Sequence, residues 1–181
     1  MRKMDLMVVY TNDPVMVEDS INTMEWLLAE DDKYKVVGFD LAYTGGRVGH
    51  DPKVVVTQLC VHHHVLLYHY FLDTVPCECF TRFVNSPDYS KMDMDSYVDM
   101  AEAIIDPYYG GMRAECKKNK AVWHMASVKR LDEHHLHTTT KEAYTCYEMF
   151  RRIVDRRNRL LPEYIKGSSH KQSGGDKCHM K

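Results

Sequence analysis

The spacing of apolar positions changes several times along this chain of 181 residues, and each change marks an element. Leu6–Thr11 (LMVVYT) is a short β-rich run, and Asp13-Pro14 then supplies a cap followed by proline at the first helical position. Val17, Ile21, Met24 and Leu28 follow at steps of four, three and four, one stripe of a helix ending near Ala29. Three strand-like runs come next: Val36–Tyr43 (VVGFDLAY), Val54–Val61 (VVVTQLCV) and Val65–Phe71 (VLLYHYF). A loop marked by Thr44-Gly45-Gly46 and Asp51-Pro52 joins the first two, and His62–His64 tightly connect the last two, which predicts an antiparallel meander.

The second half reads as helical. Pro76–Val84 predicts a short helix that Asn85-Ser86-Pro87-Asp88 breaks, and Tyr97–Ile105 and Arg113–Val128 predict two more. From Leu131 to Leu161 the pattern is strongly helical, with Leu136, Ala143, Tyr147, Phe150 and Val154 on one face and Pro162 closing the element. After Lys166 the sequence GSSHKQSGGDKCHMK is Gly/Ser-rich, so one domain is expected over 1–166 and a flexible tail over 167–181.

Composition adds two constraints. The formal charge of −2 carries no strongly basic signature, yet residues 1–34 have net charge −5 and residues 149–181 net charge +6. No run approaches the ~18–20 apolar residues that span a bilayer, and the apolar stretch near the start is too short for a secretory signal, so an intracellular protein of cytoplasm or nucleus is expected. The six cysteines are irregularly spaced and read as reduced thiols, mostly core filler. Cys77-x-Cys79 lacks the paired knuckles of a structural zinc site. His62–His64 with His69, and His134-His135 with His137, are clusters of a common ligand type. Adjacent strand histidines point to opposite faces, and neither cluster has a helical i,i+4 histidine pair facing a third ligand.

The order helix, three-strand meander, helices resembles the ribonuclease H-like fold. Val36-Val37-Gly38-Phe39-Asp40-Leu41-Ala42-Tyr43 followed by Val55–Val61 resembles the first motif and second strand of the Werner-type 3′–5′ exonuclease domains of the DEDD superfamily. Trp123, Leu131, Lys141, Ala143-Tyr144 and Tyr147-Glu148-Met149 resemble that family's closing segment. The resemblance implies an α/β fold with a mixed sheet flanked by helices. It also implies two divalent ions held by carboxylates, one to deprotonate water and one to stabilise the leaving oxygen.

This chain departs from that chemistry. Asp40 matches the first carboxylate of a D-x-E pair, whose members share a strand face, but Ala42 stands at the partner position. Glu142 replaces the Asp of the last helix, and Thr138 the Tyr one turn before it. Between the Pro76 and Tyr97 helices only Val84–Ser96 is available, containing Asp88, Asp93 and Asp95 but no apolar strand run. It reads as loss of a strand and helix after residue 84; the alternative is a short degenerate strand offering Asp93 or Asp95. Without the family's metals, Asp40 is an ordinary strand-end residue and Glu142 a solvated helix residue. The expectation is a catalytically degenerate domain without a cofactor, Mg²⁺ or Mn²⁺ serving any residual 3′–5′ exonuclease activity through Asp40, Glu142 and an Asp from the 88–95 segment.

Two binding readings follow. Loss of the fourth strand would leave residues 36–43 as an open sheet edge for a protein partner or a second copy of the chain. Arg151, Arg152, Arg156, Arg157 and Arg159 form a basic run at the end of the long helix, which is either a solvated face favoured by the helix dipole or a phosphate-contacting surface.

Overall fold

The computed structural model describes residues 5–31, 34–43, 53–70, 76–92 and 129–168. The predicted helices Tyr97–Ile105 and Arg113–Val128, together with Asp93, Asp95 and the tail from residue 169, lie outside the described residues.

The first strand, β1 (Met7–Thr11), leads through a two-residue turn into α1 (Pro14–Glu30). The helix starts where the cap chemistry places it. The Asp13 carboxylate accepts a 3.0 Å hydrogen bond from the Val15 N–H, and the Asp13 N–H itself donates to Thr11 Oγ1 at 2.9 Å. Val17, Ile21, Met24 and Leu28 are all buried, as the period requires. β2 (Val36–Tyr43), β3 (Val54–Val61) and β4 (His64–His69) then form the expected antiparallel meander. After it come α2 (Glu78–Asn85), β5 (Ser90–Met92) and the long α3 (Glu133–Ser168). The helix continues through Pro162 rather than closing there. Proline removes one i→i−4 hydrogen bond and can be carried within a helix.

Two expectations about the sheet are corrected. Its strand order is β1-β4-β3-β2-β5, so a strand is present after residue 84: Ser90, Lys91 and Met92 pair in parallel with Val36, Val37 and Gly38. The expected open edge along residues 36–43 is therefore covered over Val36–Gly38, where β5 pairs with β2 on the side away from β3. A parallel ladder uses backbone groups, so three residues pair without the alternating apolar side chains that mark a strand in sequence. β1 occupies the opposite end of the sheet, parallel to β4.

The two faces are covered by different helices. Val37, Leu59, Val61, Leu66 and Tyr68 pack with the α1 stripe and with Phe80 and Phe83 of α2. Val36, Ala42, Val56, Cys60, Val65 and Leu67 pack with Leu131, Ala143 and Tyr147 on the α3 side. Gly38 belongs to that second face, two residues from Val36 and from Asp40. It lets α3 come close: a Cβ there would lie 2.5 Å from the Ala143 carbonyl oxygen and 2.6 Å from the Tyr147 nitrogen.

Candidate functional site

The β2–α3 contact sets what surrounds Asp40. Side chains alternate along the strand, so Val36, Gly38, Asp40 and Ala42 share the face beneath α3. Asp40 is half-buried, and its carboxylate accepts a 2.8 Å hydrogen bond from the Leu41 N–H. Directly across the ladder stands Gln58, which in turn stands opposite Leu67, and Leu67 opposite Tyr10. Gln58 is buried, and its side-chain oxygen has no hydrogen-bond partner among the described residues. The neighbouring row carries Ala42, only 6% exposed and part of the apolar cluster with Leu131 and Ala143.

Glu142 adjoins Ala143 on α3 and is 7% exposed, which corrects the expectation of a solvated helix residue. Thr138, one turn earlier, is also buried. Its hydroxyl donates back to the His134 carbonyl at 3.1 Å, as Thr139 does to His135 at 2.6 Å and Thr145 to Lys141 at 2.6 Å. These hydroxyls therefore spend their protons on α3's own backbone. Asp88 lies elsewhere, exposed in the turn before β5, where its carboxylate accepts from Ser86 Oγ at 3.4 Å.

Among the described residues the donor set does not make up a site for a pair of divalent cations. Asp40 and Glu142 bring at most two carboxylates, Ala42 offers a methyl group to the apolar cluster, and Thr138 binds its own helix. Among the described residues no three His, Cys, Asp or Glu side chains come together. Two hard dications sharing a site need more anionic oxygen than this.

Other histidines make contacts that the sequence pattern does not reveal. His62, in the two-residue β3–β4 turn, has φ of 53°, the left-handed region that costs a non-glycine residue about 1–2 kcal/mol. Two side chains hold it there: Tyr147 hydrogen-bonds its Nδ1 at 3.0 Å, and Asp31, at the end of α1, lies 3.2 Å from its Nε2. His62 thus ties α1, the turn and α3 together, beside a shallow open depression of about 440 Å³ lined by Leu27, Glu30, Asp31, His62 and His63. Burial pushes the Tyr147 phenol well up from its ordinary value, aided by the nearby Asp31 charge. His69 is buried and accepts from or donates to Tyr10 across 2.5 Å, while the Tyr10 oxygen accepts the Leu131 N–H at 2.9 Å. His135 is held by Asp132, whose Oδ1 lies 2.5 Å from Nδ1 and caps α3 by accepting the His135 N–H at 3.0 Å. That backbone bond, with the imidazole contact, holds the Asp132 carboxyl below the usual range.

The basic run divides into two sets. The buried Glu148 carboxylate accepts from Arg151 Nε and NH2, both at 2.9 Å, and from Arg152 Nε at 2.7 Å. Arg151 also lies 3.6 Å from Asp155, which is itself bound by the Tyr34 hydroxyl. Arg156, Arg157 and Arg159 are exposed; Arg159 reaches back to the Asp155 carbonyl at 3.4 Å. A Glu three and four residues before two arginines is the sequence signal that separates the sets.

No protein-family model matches this chain. No curated protein matches it either. Among the described residues no helix is long and apolar enough to cross a membrane.

Proposed function

We propose that the chain is a ribonuclease H-like domain that has lost its two-metal nuclease centre and acts by binding a protein partner or a second copy of itself. The observation that carries this reading is Ala42, which occupies the position of the second carboxylate and is absorbed into the apolar cluster under α3. The sheet supports the fold assignment: β4-β3-β2 is an antiparallel meander, β5 runs parallel to β2 on its other side, and α3 crosses that part of the sheet. For the binding role, β5 pairs only Val36–Gly38 of the expected β2 edge, and β1 adds a second edge at the other end of the sheet among the described residues. Met7 and Val8 on that strand are 55% and 42% exposed. The test incubates the full chain with end-labelled single-stranded DNA and RNA in Mn²⁺. Unshortened substrate is expected; shortening that disappears in Asp40→Ala would establish a nuclease instead. Sedimentation across a range of concentrations separates self-association from a need for a different partner.

A second reading, nucleic-acid binding without cleavage, draws on the exposed Arg156, Arg157 and Arg159. It requires affinity for a labelled oligonucleotide that falls steeply with salt. No binding at low salt, or binding unchanged by replacing all three arginines with glutamine, would remove it.

A further inference from the structure

Cys77 and Cys79 are the least explained chemistry in the fold. Cys77 occupies the N-cap position of α2 in extended conformation, and Cys79 sits in the helix's first turn, so both thiols project from the same short corner. Their sulfurs lie 3.3 Å apart in a hydrogen bond. Both residues are only partly buried, unlike Cys60 and Cys146, which are enclosed. They rest on the aromatic cluster of Tyr68, Tyr70 and Phe80.

We propose that Cys77 and Cys79 form a reversible dithiol–disulfide pair, oxidised by low-molecular-weight disulfides such as oxidised glutathione. The backbone already permits the bond. Two residues separated by one helical residue have Cα atoms about 5.4 Å apart, inside the range of about 4.4–6.8 Å that disulfides use. The sulfurs need to close from 3.3 Å to about 2.05 Å, a movement that side-chain rotation supplies.

The reaction balances in two exchanges. Cys77, as thiolate, attacks one sulfur of the oxidant, the oxidant's S–S bond breaks, and one glutathione thiolate leaves. Cys79 loses its proton and attacks Cys77 Sγ, expelling the second glutathione thiolate. The protein loses two protons and two electrons, and one disulfide oxidant becomes two thiols. Burial and the hydrogen bond with Cys77 push the Cys79 thiol up to about 11, so it rests protonated. In this sequence Cys77 attacks first and Cys79 resolves.

The test titrates the full chain with oxidised and reduced glutathione and quenches in acid. Digestion then uses a protease that cuts after glutamate. Glu78 stands between the two cysteines, so cleavage after it separates the Cys77 and Cys79 peptides unless a disulfide joins them. The expected result is a joined pair, a loss of about two mass units, and two fewer alkylatable thiols at an equilibrium independent of protein concentration. In Cys79→Ser the reaction stops at a glutathione adduct on Cys77. Wild-type protein that ends as this adduct overturns the proposal. So does a link from either cysteine to a third, or failure to react where Cys79→Ser takes up glutathione. Failure of both proteins to react overturns it as well.

Discussion

Gly38 of β2 and Ala143 of α3 approach so closely that a single methyl group on Gly38 would stand 2.5 Å from the Ala143 carbonyl oxygen. The clash is with backbone on the helix side, and backbone cannot swing aside as a flexible side chain would. Gly38→Ala is expected to destabilise the protein by about 3 kcal/mol, the upper range for inserting volume into a filled interior. Chemical denaturation checks it; a loss below about 1 kcal/mol would mean that α3 slides without cost.

His62 separates strain from contact. His62→Ala keeps the unfavourable left-handed backbone and loses both the Tyr147 and Asp31 interactions, whereas His62→Gly loses the interactions but relieves the strain. The glycine variant is expected to be the more stable by about 1 kcal/mol. Tyr147→Phe, which removes one hydrogen bond to a retained ring, should cost about 1 kcal/mol. Equal stability of the alanine and glycine variants would assign the turn's geometry to something other than His62.

Glu148 anchors two arginines. Burial alone would raise its carboxyl, but the hydrogen bonds from Arg151 and Arg152 outweigh burial and hold it below the usual carboxylate range. A folded-state value below the unfolded one gives stability that is full above about pH 5 and fades as pH falls through the folded value. Glu148→Gln should therefore lose about 2 kcal/mol at pH 7 and show a flatter loss of stability on acidification. An unchanged acid limb would mean that the pair is no stronger in the folded chain than in the unfolded one.

His64 lies buried on the opposite face with neither ring nitrogen hydrogen-bonded among the described residues. Burial, with the neighbouring His63, lowers its affinity for a proton. The unfolded state then binds the extra proton first, so stability contributed by this group is present above about pH 6.5 and declines as pH falls. His64→Leu is expected to raise stability by about 1 kcal/mol at pH 7, and by more at pH 5. Destabilisation at both pH values would show that the imidazole makes a contact the leucine lacks.

The contrast between α1 and β5 explains what the sequence reveals. α1 announces itself twice, through Asp13-Pro14 and through a four-three-four stripe that must face a core. The meander is equally plain, since β-branched runs close together in sequence, the last two joined by a two-residue turn, leave few other pairings. Ser90–Met92 carries no such mark, because its role is to satisfy backbone groups of β2 over three residues. The same limit applies to the candidate site. Asp40 and Ala42 are read correctly as two positions on one strand face, because strand period alone decides that. Glu142 is not: helix period around it mixes charge with Ala143 and Cys146, and burial there depends on the tertiary surroundings of α3 rather than on local pattern. The His62 contacts join residues of α1, a turn and α3, a meeting that no local pattern encodes.

The parallel pairing of β1 with β4 has a consequence for the order of assembly. Met7 is made well before its ladder partner His64, and the Tyr10 hydroxyl then waits for the Leu131 N–H, 121 residues further along. Closing such long loops costs entropy before any contact repays it, while β2, β3 and β4 are joined by much shorter connections. Val56→Ala, in the meander, is expected to slow refolding, whereas Val9→Ala, in β1, should mainly speed unfolding. The reverse pattern in stopped-flow measurements would place β1 in the nucleus. On this ordering a strand made before the meander is seated after it, and the nascent chain carries Met7–Thr11 without its β4 partner until the whole meander has left the ribosome.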